Sequence, residues 1–260
     1  MTTPKPDCWA AELAASFHLD AVASGYCFRP PYAPSLFTTL VSLVVDEPRT
    51  VLDLGCGPGD LARYLVGKVD LVDAVDMSLA MIERGRGLEH GDHPNLRWIH
   101  GKAEDVALDP PYTLVVAGDS LHWMDWPVIV PRIRQMLSPN GSLAIAGREW
   151  GTGTPEEREI WERYGRSRTW RPLNLVHELE SRGLFEKRGA KGFTASWTPT
   201  IDEYLAASRS RANYPTEAEL ANAFDSEMNA MLGRHLGEST GKRLKLNVTS
   251  GAAWGVPHIT

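Results

Sequence analysis

Thr50 to Arg63 reads TVLDLGCGPGDLAR. The apolar pair Val51-Leu52 ends in an acid, Asp53, and glycines then alternate at Gly55, Gly57 and Gly59 before a helical stretch from about Asp60. That order describes a buried parallel strand, a tight turn and a helix entrance, the unit from which a doubly wound α/β fold builds a nucleotide site. Glycine suits the turn because it takes positive φ without strain and lets a ligand lie against bare backbone. The spacing is G-x-G-x-G, not the G-x-G-x-x-G of dinucleotide folds, where pyrophosphate rests on the helix entrance. Asp60 stands where the third glycine of that fingerprint would be, and Asp53 beneath the loop adds a second negative charge. Two acids beside the turn suit a ligand with a cationic amino group and no phosphate, and the G-x-G-x-G spacing disfavours a nicotinamide-dependent oxidoreductase.

Outward from this turn, Leu71 to Val75 reads as a second strand closing on Asp76, and Ser78 caps a helix to about Arg86. Leu96 to His100 is a third strand, Thr113 to Ala117 a fourth and fully apolar one, and Ser142 to Ala146 a fifth, entered through a helix from about Pro127 to Leu137 and a turn at Pro139-Asn140-Gly141. The alternation implies right-handed crossovers and a parallel sheet. Capping boxes at Thr154 with Glu157, Thr200 with Glu203 and Thr216 with Glu219 open helices in the second half. Leu175 to Arg182 is a further helix stopped by Gly183, Phe185 to Trp197 an extended segment, and Lys245 to Thr249 a closing strand. A helical pair, Ile201 to Arg211 and Glu217 to Leu236, therefore interrupts the last two strands.

The run D-L-G-C-G-P-G, Asp53 to Gly59, resembles motif I of the class I S-adenosylmethionine-dependent methyltransferases. The resemblance is strong over about 48–147. At the ends, YCFRPPYAP (Tyr26 to Pro34), ELESRGLF and WGVP are similar to a small-molecule branch of the trans-aconitate methyltransferase type. It implies an α/β, Rossmann-like, seven-stranded and mostly parallel doubly wound sheet, with an antiparallel last strand and a helical cap inserted between the last two strands. It also implies one domain over 1–260, with a cofactor-binding core at about 48–150 and cap or lid elements at about 1–47 and 198–240. The implied ligands are S-adenosylmethionine, its product S-adenosylhomocysteine and a small-molecule acceptor methylated at O, N or C.

Under that resemblance Asp53 and the backbone of Gly55, Cys56, Gly57 and Gly59 hold the methionine end of the cofactor. Asp76, at the end of the second strand, can accept hydrogen bonds from both ribose hydroxyls, whereas Asp73 lies inside the strand; Met77 would lie against the adenine. In Gly101-Lys102-Ala103-Glu104-Asp105, Lys102 replaces the family's usual acid, leaving Ala103 and Glu104 as adenine contacts or the segment as a solvated turn. Gly118-Asp119-Ser120-Leu121-His122-Trp123 leaves the fourth strand and should border the sulfonium. Methyl transfer is an in-line displacement in which alignment carries most of the acceleration. His122 would act as base for a phenol, hydroxyl or amine acceptor, orient a carboxylate, or simply pack on Trp123. Tyr26 and Arg29 either close over the methionine carboxylate, which suits an arginine fork, or form ordinary surface.

Other features are set aside. Asp109-Pro110-Pro111-Tyr112 has the look of an adenine amino-methyltransferase signature, but it precedes its strand and so lies at the wrong end of the sheet. Trp123, Trp126, Trp150, Trp161 and Trp170 either line an apolar acceptor pocket or pack. His18, His177, His235 and His258 lack ligand spacing, and Asp119, Asp125 and Glu149 lack the Asp-Asn pair of catechol-type enzymes, so no metal is expected. The 260 residues, 43% of them hydrophobic, suffice for a full α/β core, with no transmembrane run or signal peptide apparent. Cys8, Cys27 and Cys56 make no CxxC, which points to a cytoplasmic protein without a disulfide framework. The net charge of −6 offers no nucleic-acid footprint apart from Arg163 to Arg171, which reads more simply as helix surface. Rival readings are the same fold acting on RNA or protein, and a non-methylating protein that binds the same cofactor.

Overall fold

The structure, a computed structural model, describes residues 20–167, 174–236 and 243–258 together with residues 6, 9, 13 and 17. Cys8, His18, Trp170, positions 168–171 of the basic segment and the side chain of His235 lie outside the described residues. The strands are β1 (Thr50–Leu54), β2 (Leu71–Asp76), β3 (Leu96–His100), β4 (Tyr112–Gly118), β5 (Leu137–Glu149), β6 (Phe185–Trp197) and β7 (Leu246–Pro257). Among the described residues these seven form one sheet in the order β3-β2-β1-β4-β5-β7-β6.

β1 pairs parallel with β2 and β4, β2 with β3, and β4 with β5. β7 runs antiparallel to β6: the His258 amide donates to Leu184 O, while further back along β7 a Cβ on Gly251 would meet Lys191 O. All five residues of β1 are buried, as are six of the seven in β4, so these apolar runs form the centre of the sheet. The strand order reverses beside β1. Such a switch opens a crevice at the carboxyl ends of β1 and β4, which is where the glycine turn sits.

The chain divides into two compact units. The first comprises 32–148, 173–193 and 249–260. Its core joins Leu36 and Leu40 of the helix Pro34–Ser42 to Val51, Leu65, Val72, Leu114, Val116 and Ala144. The second comprises 1–31, 149–172 and 194–248. Its core is Ile160, Trp161, Tyr204, Phe224, Met228 and Leu232, from helices Pro155–Tyr164, Ile201–Arg209 and Ala218–Leu236. The helical pair between β6 and β7 is present as expected, and Thr200 with Glu203 forms the full reciprocal box.

Several local expectations are corrected. The helix after the glycine turn starts at Ala62 and covers only Ala62–Leu65, and Gly59, left-handed at φ +80°, leads into it with its carbonyl accepting the Arg63 amide. Pro139-Asn140-Gly141 is not a turn before β5 but a bulge within it: Tyr112 pairs with Leu137 and Leu114 with Ser142, so three extra residues arch out. At Thr154 the box is half made. Thr154 Oγ1 accepts the Glu157 amide, but the buried Glu157 carboxylate instead accepts from the Thr152 amide at 2.6 Å, the Thr152 hydroxyl at 2.7 Å and the Tyr204 hydroxyl. Glu217, not Thr216, holds the cap position of Ala218–Leu236, since its carbonyl accepts the Ala221 amide. β7 also runs well past Thr249, to Pro257. Its glycines and alanines carry little strand signal, but they admit close approach: a Cβ on Gly255 would fall on Glu186 O.

Candidate functional site

β1 delivers the chain into the turn at its carboxyl end, and the turn needs glycine. Gly55, Gly57 and Gly59 have φ of +65°, +55° and +80°. A Cβ on Gly55 would lie 2.6 Å from Ser120 Cβ, and one on Gly59 2.6 Å from the Trp98 ring. The neighbouring strand end grips the turn. Cys56 N–H donates to Val75 O at 2.9 Å, and Gly57 N–H to Asp76 Oδ2 at 2.7 Å. Asp76 Oδ1 accepts the Ser78 amide at 2.8 Å, and Asp76 O accepts the Gly101 amide at 3.0 Å. Three segments thus converge on Asp76: the turn, the start of the next helix and the loop after β3. A carboxylate oxygen can accept more than one hydrogen bond. Beside them Met77 and Leu79 are exposed, an apolar ledge on the same strand end.

Asp53 does not face this crevice as a charge. It is 1% exposed and accepts the Ala62 amide at 3.0 Å, capping the short helix from below. Burial pushes its carboxyl up to about 8, with nearby Asp76 and Asp60 adding to the rise against the Ala62 hydrogen bond. At neutral pH it is therefore mostly protonated, which corrects the expectation of a second negative charge beneath the loop. The Cys56 thiol is buried as well, and burial, with the Asp76 charge adding, raises it well above the ordinary thiol range.

The loop after β3 is held by the helix Trp126–Met136. Glu104 Oε1 accepts the Asp125 amide at 2.9 Å, and Arg132 reaches the carbonyls of Glu104 (3.2 Å) and Val106. Ala103 is buried and Lys102 exposed. The Glu104 side chain is thus engaged at a helix start, a partner that no local sequence pattern announced.

The segment after β4 lies against the turn. Gly118 leaves room for Leu61 and the Tyr32 hydroxyl, which a Cβ would approach to 2.7 and 2.9 Å. Asp119 adopts a left-handed φ of +52° and accepts from Tyr32 Oη at 3.0 Å and the Arg148 amide at 3.3 Å. Ser120 Oγ donates to Leu54 O at 2.6 Å. His122 sits in a one-turn 3₁₀ helix, Leu121–Trp123, half-buried, with its ring 4.4 Å from that of Trp123. Tyr32, Ser120 and Arg148 had no assigned role in the sequence. The available signal for Arg148 was a cation at the carboxyl end of a parallel strand.

Tyr26 and Arg29 belong to the second unit. There Arg29 donates to Ser210 Oγ at 2.7 Å and Ser210 O at 2.6 Å, and stacks 3.8 Å over the Tyr26 ring. Trp150 and Trp161 also pack within that unit, edge-on to Tyr204 and Phe224 respectively. Trp126 is buried in the first unit and donates to Leu121 O. Tyr112 of the proline-rich decoy is 1% exposed, its hydroxyl bonded to Asp73 at 2.6 Å, and Asp73 in turn takes the Arg97 fork at 2.6 and 2.7 Å. Such a ring cannot stack on a base.

Residues 51–141 match the family model described as a methyltransferase domain. A malonyl-[acyl-carrier protein] O-methyltransferase of Halalkalibacterium halodurans is 37% identical over 108 residues, 39% of this chain and 40% of that protein. A trans-aconitate 2-methyltransferase of Enterobacter sp. (strain 638) is 31% identical over 109 residues, 41% of this chain and 42% of that protein. The chain thus spans about 40% of the length of these curated relatives. A solved structure of a proposed type II methyltransferase from Anaeromyxobacter dehalogenans superposes with a TM-score of 0.63 at 23% identity, covering 88% of this chain and 99% of that one, which shows the shared fold. Among the described residues no helix is long and apolar enough to cross a membrane, and no group of three or more His, Cys, Asp or Glu is placed to hold a metal ion.

Proposed function

We propose, from the premise that residues 51–141 are a class I methyltransferase domain, that the protein transfers a methyl group from S-adenosylmethionine to a small-molecule acceptor. The observation that carries this reading is the grip of Asp76 on Gly57: it sets a carboxylate at the end of β2 against a left-handed glycine turn at the sheet's switch point. The residues present fit the cofactor. Asp76 would take the ribose hydroxyls, Met77 the adenine face, and the bare backbone of Gly55 to Gly59 the methionine portion. Ala103 and Glu104 would border the adenine edge, and Gly118 and Asp119 the sulfonium.

When bound, the cofactor supplies a methyl group on a sulfonium that is already a good leaving group. The protein then contributes alignment and exclusion of water. The packing of Gly55 on Ser120 and of Gly118 on Leu61 and Tyr32 fixes the spacing of the two segments that would flank the methyl group. His122, beyond Ser120, is the imidazole proposed to take a proton from a hydroxyl or amine, or to orient a carboxylate. Tyr26 and Arg29 remain proposed as cofactor-binding residues. The names of the two relatives support an acyl or carboxylic acceptor, for which no base is needed. A cytoplasmic location belongs to the same reading and rests on cysteine usage: three cysteines, an odd count, with no CxxC.

The test is incubation of the full chain with methyl-labelled S-adenosylmethionine and a panel of small carboxylates, phenols and amines. Label transferred to one acceptor class, with equimolar S-adenosylhomocysteine, supports the reading. Cofactor binding without transfer to any acceptor would favour a non-methylating binding protein instead.

A further inference from the structure

Arg148 closes a ring of side chains at the carboxyl ends of β1, β4 and β5. Its guanidinium lies 2.7 Å from Asp60 Oδ2 and 3.6 Å from Asp119 Oδ2, and sits 4.5 Å over the Tyr32 ring. The Tyr32 hydroxyl completes the circuit by donating to Asp119 Oδ2. The arginine side chain is 3% exposed, against 25% and 28% for its two acids. A cation buried this deeply, with two carboxylates and an aromatic face around it, is a built feature. Arg63 approaches Asp60 at 3.6 Å, and Asp76 stands across the turn. Beyond the buried Asp53, whose carboxyl burial pushes up to about 8, the formal charges of Asp60, Asp119 and Asp76 against Arg148 and Arg63 leave one excess negative charge around the turn. Without Arg148 that excess would double.

This charge count bears on methyl transfer in a specific way. The acceptor–carbon bond forms as the carbon–sulfur bond breaks, and the bonding pair stays on sulfur. The ligand thus enters as a cation and leaves as a neutral thioether. Negative charge near the turn favours the sulfonium ground state over a transition state in which that charge is already fading. We infer that Arg148 is an electrostatic positioning residue which, by screening Asp60 and Asp119, sets the preference of the site for sulfonium over thioether. This rests on the S-adenosylmethionine reading given above.

Calorimetric titration of the full chain with S-adenosylmethionine and S-adenosylhomocysteine tests it, using wild type, Arg148→Met, Arg148→Lys and Asp60→Asn. In Arg148→Met the ratio of the two dissociation constants should shift toward the sulfonium by about fivefold or more, the scale for removing one unit charge beside a partly hydrated site. Arg148→Lys should keep the wild-type ratio, and Asp60→Asn should shift it toward the thioether. In turnover, Arg148→Met should lower kcat without raising KM for S-adenosylmethionine, a split that mere loosening of the fold would not produce. Equal weakening of both ligands in Arg148→Met, or an unmoved ratio in Asp60→Asn, overturns the inference. Should Arg148→Met fail to fold, the direction in Asp60→Asn decides alone. If wild type binds neither ligand, the cofactor reading falls and this inference with it; if it binds both with ratios unmoved, only this inference falls.

Discussion

The Asp76 carboxylate accepts the Gly57 amide at 2.7 Å, so the end of β2 holds the turn that ends β1. The same group is proposed to take the ribose hydroxyls, which gives it two duties. Asp76→Ala should weaken S-adenosylmethionine binding about ten- to a hundredfold, the range for losing charge-assisted hydrogen bonds. Calorimetry reads the affinity, with a thermal melt as the control for folding. Unchanged affinity would remove the ribose assignment.

Asp53 gives the protein a pH dependence of definite sign. Its folded-state pKa, about 8, lies above the ordinary carboxylate value, so the native state holds that proton more tightly than the unfolded chain. The associated stability is fully present below the unfolded value and is lost progressively as pH rises toward the folded one. Asp53→Asn, which can still accept the Ala62 amide, should therefore be more stable relative to wild type at about pH 8 than at about pH 5, by up to a few kcal/mol. Urea unfolding at the two pH values checks this; parallel shifts at both would show that Asp53 ionises freely.

Gly55→Ala should be costly despite adding a single methyl group. The position is left-handed at φ +65°, and the new Cβ would sit 2.6 Å from Ser120 Cβ. Backbone strain of this kind costs about 1–3 kcal/mol. A lower melting temperature together with lost cofactor affinity is expected, and wild-type values for both would mean the turn can rearrange freely.

His122→Ala separates chemistry from packing. If the imidazole serves the acceptor, kcat should drop about 10²-fold or more with a base-requiring acceptor while cofactor affinity holds. Full activity with such an acceptor would leave the ring as a packing partner of Trp123.

Tyr112→Phe tests the decoy. Losing the hydroxyl leaves buried Asp73 short of one donor, at a cost of about 1–3 kcal/mol in unfolding free energy. Cofactor affinity should stay as in wild type, because the ring is buried and bonded away from any ligand. A selective loss of nucleic-acid binding would reverse that view.

The sheet was legible because its information is local: apolar runs of strand length, each closing on a turn residue, with glycines where φ must be positive. Asp76 was legible for the same reason, since its place at a strand end follows from strand length alone. What escaped depended on partners far along the chain. Arg148 meets Asp60, 88 positions away, and Tyr32 meets Asp119, 87 positions away. Glu157 looked like half of a capping box, but its carboxylate is taken by Tyr204, 47 residues on. Asp53 looked ionised because sequence shows charge without burial. β7 was underestimated because glycine and alanine strands are stabilised by close approach to a neighbour, which no propensity records.

Calorimetric titration of the full chain with S-adenosylmethionine and S-adenosylhomocysteine tests the central claim most directly. The account predicts saturable binding of both in the micromolar range, strongly reduced in Asp76→Ala. No binding of either ligand to folded protein, or binding that survives Asp76→Ala undiminished, would contradict the claim that the glycine turn and Asp76 together form the cofactor site.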